Sequence, residues 1–147
     1  MPQFLYIAQT PVNLTYLDHQ ESTTIASSHT FSTMQMGNVA GSVIACLGYY
    51  GNGAILTPTS VTIGGVTATQ VVRVGNSNQG VGIWIAAVTT ATGNVVISVS
   101  GGNAEFWACT TYSITGASAA ATTATSTASA PTASMSCNAD GAILGAV

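Results

Sequence analysis

The sequence predicts an all-β protein, a two-layer antiparallel β-sandwich of the jelly-roll or immunoglobulin-like kind. Three observations carry this. Apolar residues come in short runs of strand length, separated by Gly, Asn, Ser and Pro. No amphipathic stripe at helical spacing runs beyond two turns. The chain has 147 residues, inside the roughly 100–200 expected of one domain, and a domain of that size buries about two-thirds of its unfolded surface. A core between two sheets can therefore be filled, and residues 1–147 are expected to make a single sandwich domain.

Taken in order, Phe4 to Ala8 opens as a strand that Pro11 ends. Val12 to Leu17 and Thr30 to Met34 are weaker strand candidates, and Gly41 to Tyr50 is the first clear core strand. In it Val43, Ala45, Leu47 and Tyr49 share one face while Ile44, Cys46 and Tyr50 share the other. Both faces are largely apolar, which predicts a central strand covered on two sides. Tyr50-Gly51-Asn52-Gly53 is turn chemistry for a hairpin or corner. Ser60 to Ile63, Gly64-Gly65 and Val66 to Val74 read as two strands joined by a two-residue hairpin loop.

After the polar loop Gly75 to Gly80, Val81 to Val88 sends Val81, Ile83, Ile85 and Ala87 one way and Trp84 the other. Thr89 to Asn94 turns the chain. Val95, Ile97 and Val99 then alternate with Val96, Ser98 and Ser100, the pattern of a strand with one solvated side. Gly101-Gly102-Asn103 closes it, and Glu105 to Thr115 places Phe106, Ala108, Thr110, Tyr112 and Ile114 opposite Trp107 and Cys109. From Gly116 to Ser134 the composition falls to Ala, Thr and Ser, a long surface excursion (116–134) that is either a partner contact or a spacer. Ser134 to Val147 reads as a last hairpin around Asn138 to Gly141, with an apolar final strand that a neighbour or its own sheet would have to cover.

Charge is the sharpest compositional feature. Only 3% of residues are Asp, Glu, Lys or Arg, where about 25% is usual. A surface of Thr, Ser, Asn, Gly and Ala gives up water cheaply and repels its copies weakly, and interface centres are depleted in charge. Assembly is the expectation; a secreted β-protein solubilised by hydroxyls is the alternative. The net charge is −3, lysine is absent and Arg73 is the one permanent cation. That excludes nucleic acid and anionic membrane surfaces as partners, because both are held by several basic side chains. No secretory leader and no apolar run of spanning length is present.

Chemistry-bearing residues are few. The titratable inventory is Asp18, Glu21, Glu105, Asp140, His19, His29 and Arg73, too small a pool for convergent acid–base catalysis, so no enzyme, no cofactor and no catalytic or metal residue is expected. Asp18, His19 and Glu21 cluster, but neighbours on an extended chain point apart, and a solvated loop is the expectation. Asp140 fits a turn, and Glu105 either pairs with Arg73 across the sandwich edge or stands exposed. Cys46, Cys109 and Cys137 are spaced too widely for a zinc site and are expected free, with a Cys46–Cys109 bridge between facing sheets as the alternative. Trp84, Trp107, Tyr49, Tyr50 and Tyr112 are expected in the core; a sugar-stacking platform is the rival reading. Asn13-Leu14-Thr15 matches a glycosylation sequon.

The stretch Ser60 to Gly116, with Ser-Val-Thr-Ile-Gly-Gly-Val-Thr-Ala-Thr, Gly-Ile-Trp-Ile-Ala-Ala-Val, Gly-Asn-Val-Val-Ile-Ser-Val-Ser and Thr-Tyr-Ser-Ile-Thr-Gly, resembles β-sandwich modules in structural proteins of tailed bacteriophages and prophages. These are turn and core patterns over about two-fifths of the chain. The resemblance implies a virion component, most simply a head decoration or cement protein on the capsid surface, bound to the major capsid protein and often a trimer. The extended N-terminal segment (1–9), with Phe4, Leu5, Tyr6 and Ile7, is then the expected interface strand to a neighbour. The rival classes are a tail or adhesin module binding host-surface glycan, which exposed aromatics would favour, and an enzyme, which Glu105 meeting either histidine in a pocket would favour.

Overall fold

The computed structural model describes residues 12–37, 41–51, 53, 55–75 and 78–116. Among these the chain is all-β. The strands are β1 (Asn13–Ser22), β2 (Ser28–Gln35), β3 (Gly41–Tyr50), β4 (Thr57–Ile63), β5 (Val66–Thr67), β6 (Thr69–Gly75), β7 (Gln79–Val88), β8 (Thr92–Ser100) and β9 (Phe106–Thr115). They form two antiparallel sheets, β1-β9-β3-β7-β6 and β2-β8-β4-β5, packed face to face. The pairings β1 with β9, β2 with β8, β3 with β7 and β4 with β5 are those of one long hairpin wound up on itself. That winding is a jelly roll, which decides between the two sandwich types the sequence left open.

Strand alternation explains the core. Val43, Ala45, Leu47 and Tyr49 of β3 meet Trp84, Ala86 and Val88 of β7 and Trp107 and Cys109 of β9 in one inner layer. Phe31 and Met34 of β2, Val61 and Ile63 of β4, and Val95, Ile97 and Val99 of β8 make the other. Two core side chains donate to backbone carbonyls: Trp107 Nε1 to that of Thr24 (2.8 Å) and Thr111 Oγ1 to that of Gln35 (3.0 Å). A buried donor left unpaired would cost about 1–3 kcal/mol, so these bonds also fix how the chain crosses between the sheets.

Several corners differ from expectation for local reasons. The run Val66 to Val74 is two strands: β5 pairs with β4, then Ala68 donates its N–H to the Val61 carbonyl (2.9 Å) and β6 pairs with β7 in the other sheet. Uniform β-propensity hides such a switch, because nothing in the side chains marks where the backbone changes partner. Gly64 and Gly65, at φ 58° and 81°, build the expected tight hairpin between β4 and β5. The turn after Tyr50 is a corner, since β3 and β4 lie in different sheets. Asp18 to Glu21 is no loop but part of edge strand β1, bulged between Tyr16 and Asp18. The stretches Phe4 to Ala8 and 117–147, with Phe4, Leu5, Tyr6, Ile7, Cys137 and Asp140, lie outside the described residues.

Candidate functional site

The two sheets differ in what they turn away from the core. On the four-stranded sheet the outward rows read Ser28–Ser98–Ser60 and Thr30–Val96–Thr62, a face of hydroxyls. On the five-stranded sheet, cross-strand partners put Tyr16, Tyr112, Ile44, Ile85 and Thr69 in one row, and His19, Thr110, Cys46, Ile83 and Val72 in the next. A third row runs Glu21, Ala108, Gly48, Val81 and Val74. Partners directly opposite in an antiparallel ladder share a face, so these rows form one outward face that is largely apolar on its central strands. Its charged side chains, His19 and Glu21, are confined to the edge strand β1. Ile44 and Ile83 at its middle are 7% exposed, while Tyr16 (59%) and Tyr50 (39%) stand out at its margins. Tyr16 meets Tyr112 edge to face, ring centroids 5.9 Å apart.

Near the β1 edge the face carries one polar constellation. His19 Nδ1 lies 2.8 Å from Thr110 Oγ1, and His19 Nε2 lies 3.2 Å from Glu21 Oε1. Hydroxyl, imidazole and carboxylate thus stand in the order of a nucleophile–base–acid relay. Among the described residues nothing completes one. The β9 backbone is spent on ladders with β1 on one side and β3 on the other, so no pair of free N–H groups beside Thr110 can receive an oxyanion. The imidazole and carboxylate are 43% and 58% exposed, where water screens them. Asp18 turns away from the pair, its carboxylate accepting from the backbone N–H of His19 (2.8 Å) and of Gln35 on β2 (3.1 Å). Among the described residues no three His, Cys, Asp or Glu side chains gather as a metal site would require.

Neither of the described cysteines, Cys46 and Cys109, favours the thiolate. Burial pushes the Cys46 thiol up to about 11, and burial, with smaller contributions from Cys46 and Asp18, pushes Cys109 further up. Both are free. The alternative of a bridge between facing sheets fails on geometry: Cys46 and Cys109 lie on adjacent strands of one sheet, Cys46 on the outer face and Cys109 in the core.

Arg73 does not pair with Glu105. Its Nε donates to Tyr49 Oη (2.6 Å), a terminal amine donates to the Leu56 carbonyl (3.1 Å), and the guanidinium lies 5.8 Å from the Tyr49 ring centroid. The core aromatics divide: Trp84, Trp107 and Tyr49 are buried, whereas Tyr50 and Tyr112 belong to the outer face. A shallow cleft of about 250 Å³ opens where the chain changes sheets, between Pro58, Ser60, Thr67, Ala68, Gln70 and Trp84. It holds no titratable side chain, and Trp84, at 3% exposed, offers no ring face to a sugar. Sequence reasoning missed the His19–Thr110 contact, because a sequence separation of 91 carries no local signal of adjacency. No protein-family model, curated protein or solved structure matches the chain.

Proposed function

We propose that this chain is a virion structural protein, a capsid decoration or cement protein that binds the major capsid protein on the phage head and stabilises the shell as a homo-oligomer. The observation that carries the reading is the scarcity of charge: 3% of residues are Asp, Glu, Lys or Arg, and in the outward rows of the five-stranded sheet charge is confined to His19 and Glu21 on β1. A surface so poor in charge gives up water cheaply and is suited to a neighbour. Its mechanism is mass action: a protein that binds only the assembled shell stabilises that shell in proportion to its free concentration. No titrating group, metal or cofactor is required for this, and the exposed Thr110–His19–Glu21 contact is a surface hydrogen-bond set.

The jelly-roll winding is in keeping with such a role, since viral capsid domains use it, but lectins use it too. A glycan-binding tail or adhesin module has less support, because both tryptophans are in the core. The trimer remains the oligomer implied by resemblance alone. The test is to purify particles from the phage or prophage that encodes the chain and label it by immunogold. Regular labelling of heads supports the reading; labelling of tails alone, or absence from particles, overturns it.

A further inference from the structure

We propose that residues 117–147 fold back over the outer face of the five-stranded sheet and cover its middle within the same chain. The proposal is independent of the capsid reading. Three observations point to this segment.

The first is burial that the two sheets do not account for. Ile44 on β3 and Ile83 on β7 point away from the second sheet, yet each is only 7% exposed. Flanking strands alone do not bring a side chain so low. Val96 holds the matching place on the four-stranded sheet, on an inner strand between Thr30 and Thr62, and stays half-buried. Cys46 shares a row with Ile83, and burial raises its thiol to about 11. Among the described residues every strand belongs to one of the two sheets and the connections turn at strand ends, so none of these forms a third layer over Ile44 and Ile83.

The second is route. Thr115 closes β9, the strand next to β3, and Gly116 follows at φ 77°, a left-handed turn that glycine takes without strain. The chain therefore leaves the line of β9 at once. With strands about 4.8 Å apart and a rise of about 3.3 Å per residue, β7 lies about 10 Å across the sheet from β9, within reach of three or four extended residues. Residues 1–11, the other long stretch outside the described residues, join at β1, where Tyr16 stands 59% exposed, whereas the burial falls on β3 and β7.

The third is chemistry. Residues 117–134 are Ala, Ser and Thr apart from Pro131, and Met135, Ile143, Leu144 and Val147 follow, with Asp140 the one carboxylate side chain. These apolar side chains are unfavourable in water and favourable against Ile44, Ile83 and Ile85. A face covered from within its own chain also presents no open apolar patch to other molecules.

The test uses the full chain. In a Cys137→Ser background, with Cys109 buried in the core, the alkylation rate of Cys46 reads the cover. Leu144→Asp is expected to raise that rate about tenfold or more, the change that loss of one buried leucine allows, while the fluorescence of buried Trp84 and Trp107 is unchanged. A second measurement does not depend on that substitution. A nitroxide on Cys137 of a Cys46→Ala chain is expected to broaden the methyl NMR signals of Ile44, Ile83 and Ile85 and to spare Val96 on the opposite sheet. Unbroadened Ile44 and Ile83 signals overturn the proposal, whatever the alkylation rates. So does broadening seen only between a labelled copy and an unlabelled, isotope-enriched one, which assigns the cover to a second copy. Broadening from a label on Tyr6→Cys in place of Cys137 overturns it as well, because the cover is then residues 1–11. Neither measurement involves heads, so failure of the capsid reading leaves this result intact.

Discussion

Arg73 and Tyr49 provide the sharpest test of how the sandwich is held together. Arg73 is the one Lys or Arg in the chain, and it spends its guanidinium on Tyr49 Oη at 2.6 Å and the Leu56 carbonyl at 3.1 Å. Tyr49 is 3% exposed. Tyr49→Phe keeps the ring, its packing and most of its attraction for the cation, and removes only the acceptor. A hydrogen bond to a charged group contributes about 1.5–3 kcal/mol, so a loss near 2 kcal/mol is expected. For a chain of this length that is a fall in Tm of roughly 4–8 °C. Arg73→Met strands the Tyr49 hydroxyl and the Leu56 carbonyl together and costs at least as much. The pair couples in a double-mutant cycle by about 1–2 kcal/mol. Gly80→Ala reaches the same contact from outside, because a Cβ at Gly80 collides with Tyr49 Oη. The assay is urea unfolding of the four cycle members at one fixed protein concentration, which removes any change due to association. A Tyr49→Phe effect below about 0.5 kcal/mol, or strict additivity in the cycle, refutes the argument.

Thr33 holds φ at 57° in the bulge of β2 while its N–H donates to Asn94 Oδ1, and left-handed backbone costs a β-branched residue about 1–2 kcal/mol. Thr33→Gly is therefore expected to raise Tm by a few degrees, and a fall would contradict the strain. His29, stacked on Trp107 at 5.7 Å and edge-on to Phe31 at 4.7 Å, has its pKa lowered from 6.5 by burial. The fold favours the neutral ring, so its contribution is complete above pH 6.5 and is lost as pH falls toward the lowered value. His29→Phe should flatten the urea midpoint between pH 7 and pH 5, and an unchanged slope would show that other groups carry it. With its thiol raised to about 11, Cys46 should react with thiol reagents at pH 8 far more slowly than a free cysteine, and Cys109 only on unfolding. Rapid modification of both in the folded protein would contradict their burial.

Periodicity made much of the fold legible. The alternation in Gly41 to Tyr50 identifies β3 as a central strand, and Val95, Ile97 and Val99 mark the inner face of β8. Gly64-Gly65 marks its hairpin because only two residues at positive φ close that turn without strain. The sheet switch at Ala68 was not legible, since Val66 to Val74 has one uninterrupted β-rich composition. Nor was the identity of the outer face: Ile44, Cys46, Ile83 and Ile85 look like core in any single strand. Only the register across five strands shows that they face away from the second sheet. The same limit hid the partner of Arg73, chosen by Tyr49 24 residues away rather than by the acidic Glu105.

The most direct test of the stabilising role is calorimetry of purified heads titrated with the chain. The account predicts that the temperature of head disruption climbs with chain concentration and saturates once the lattice sites are filled, with the chain co-sedimenting at that ratio. An unchanged disruption temperature, with the chain left in the supernatant, would contradict it.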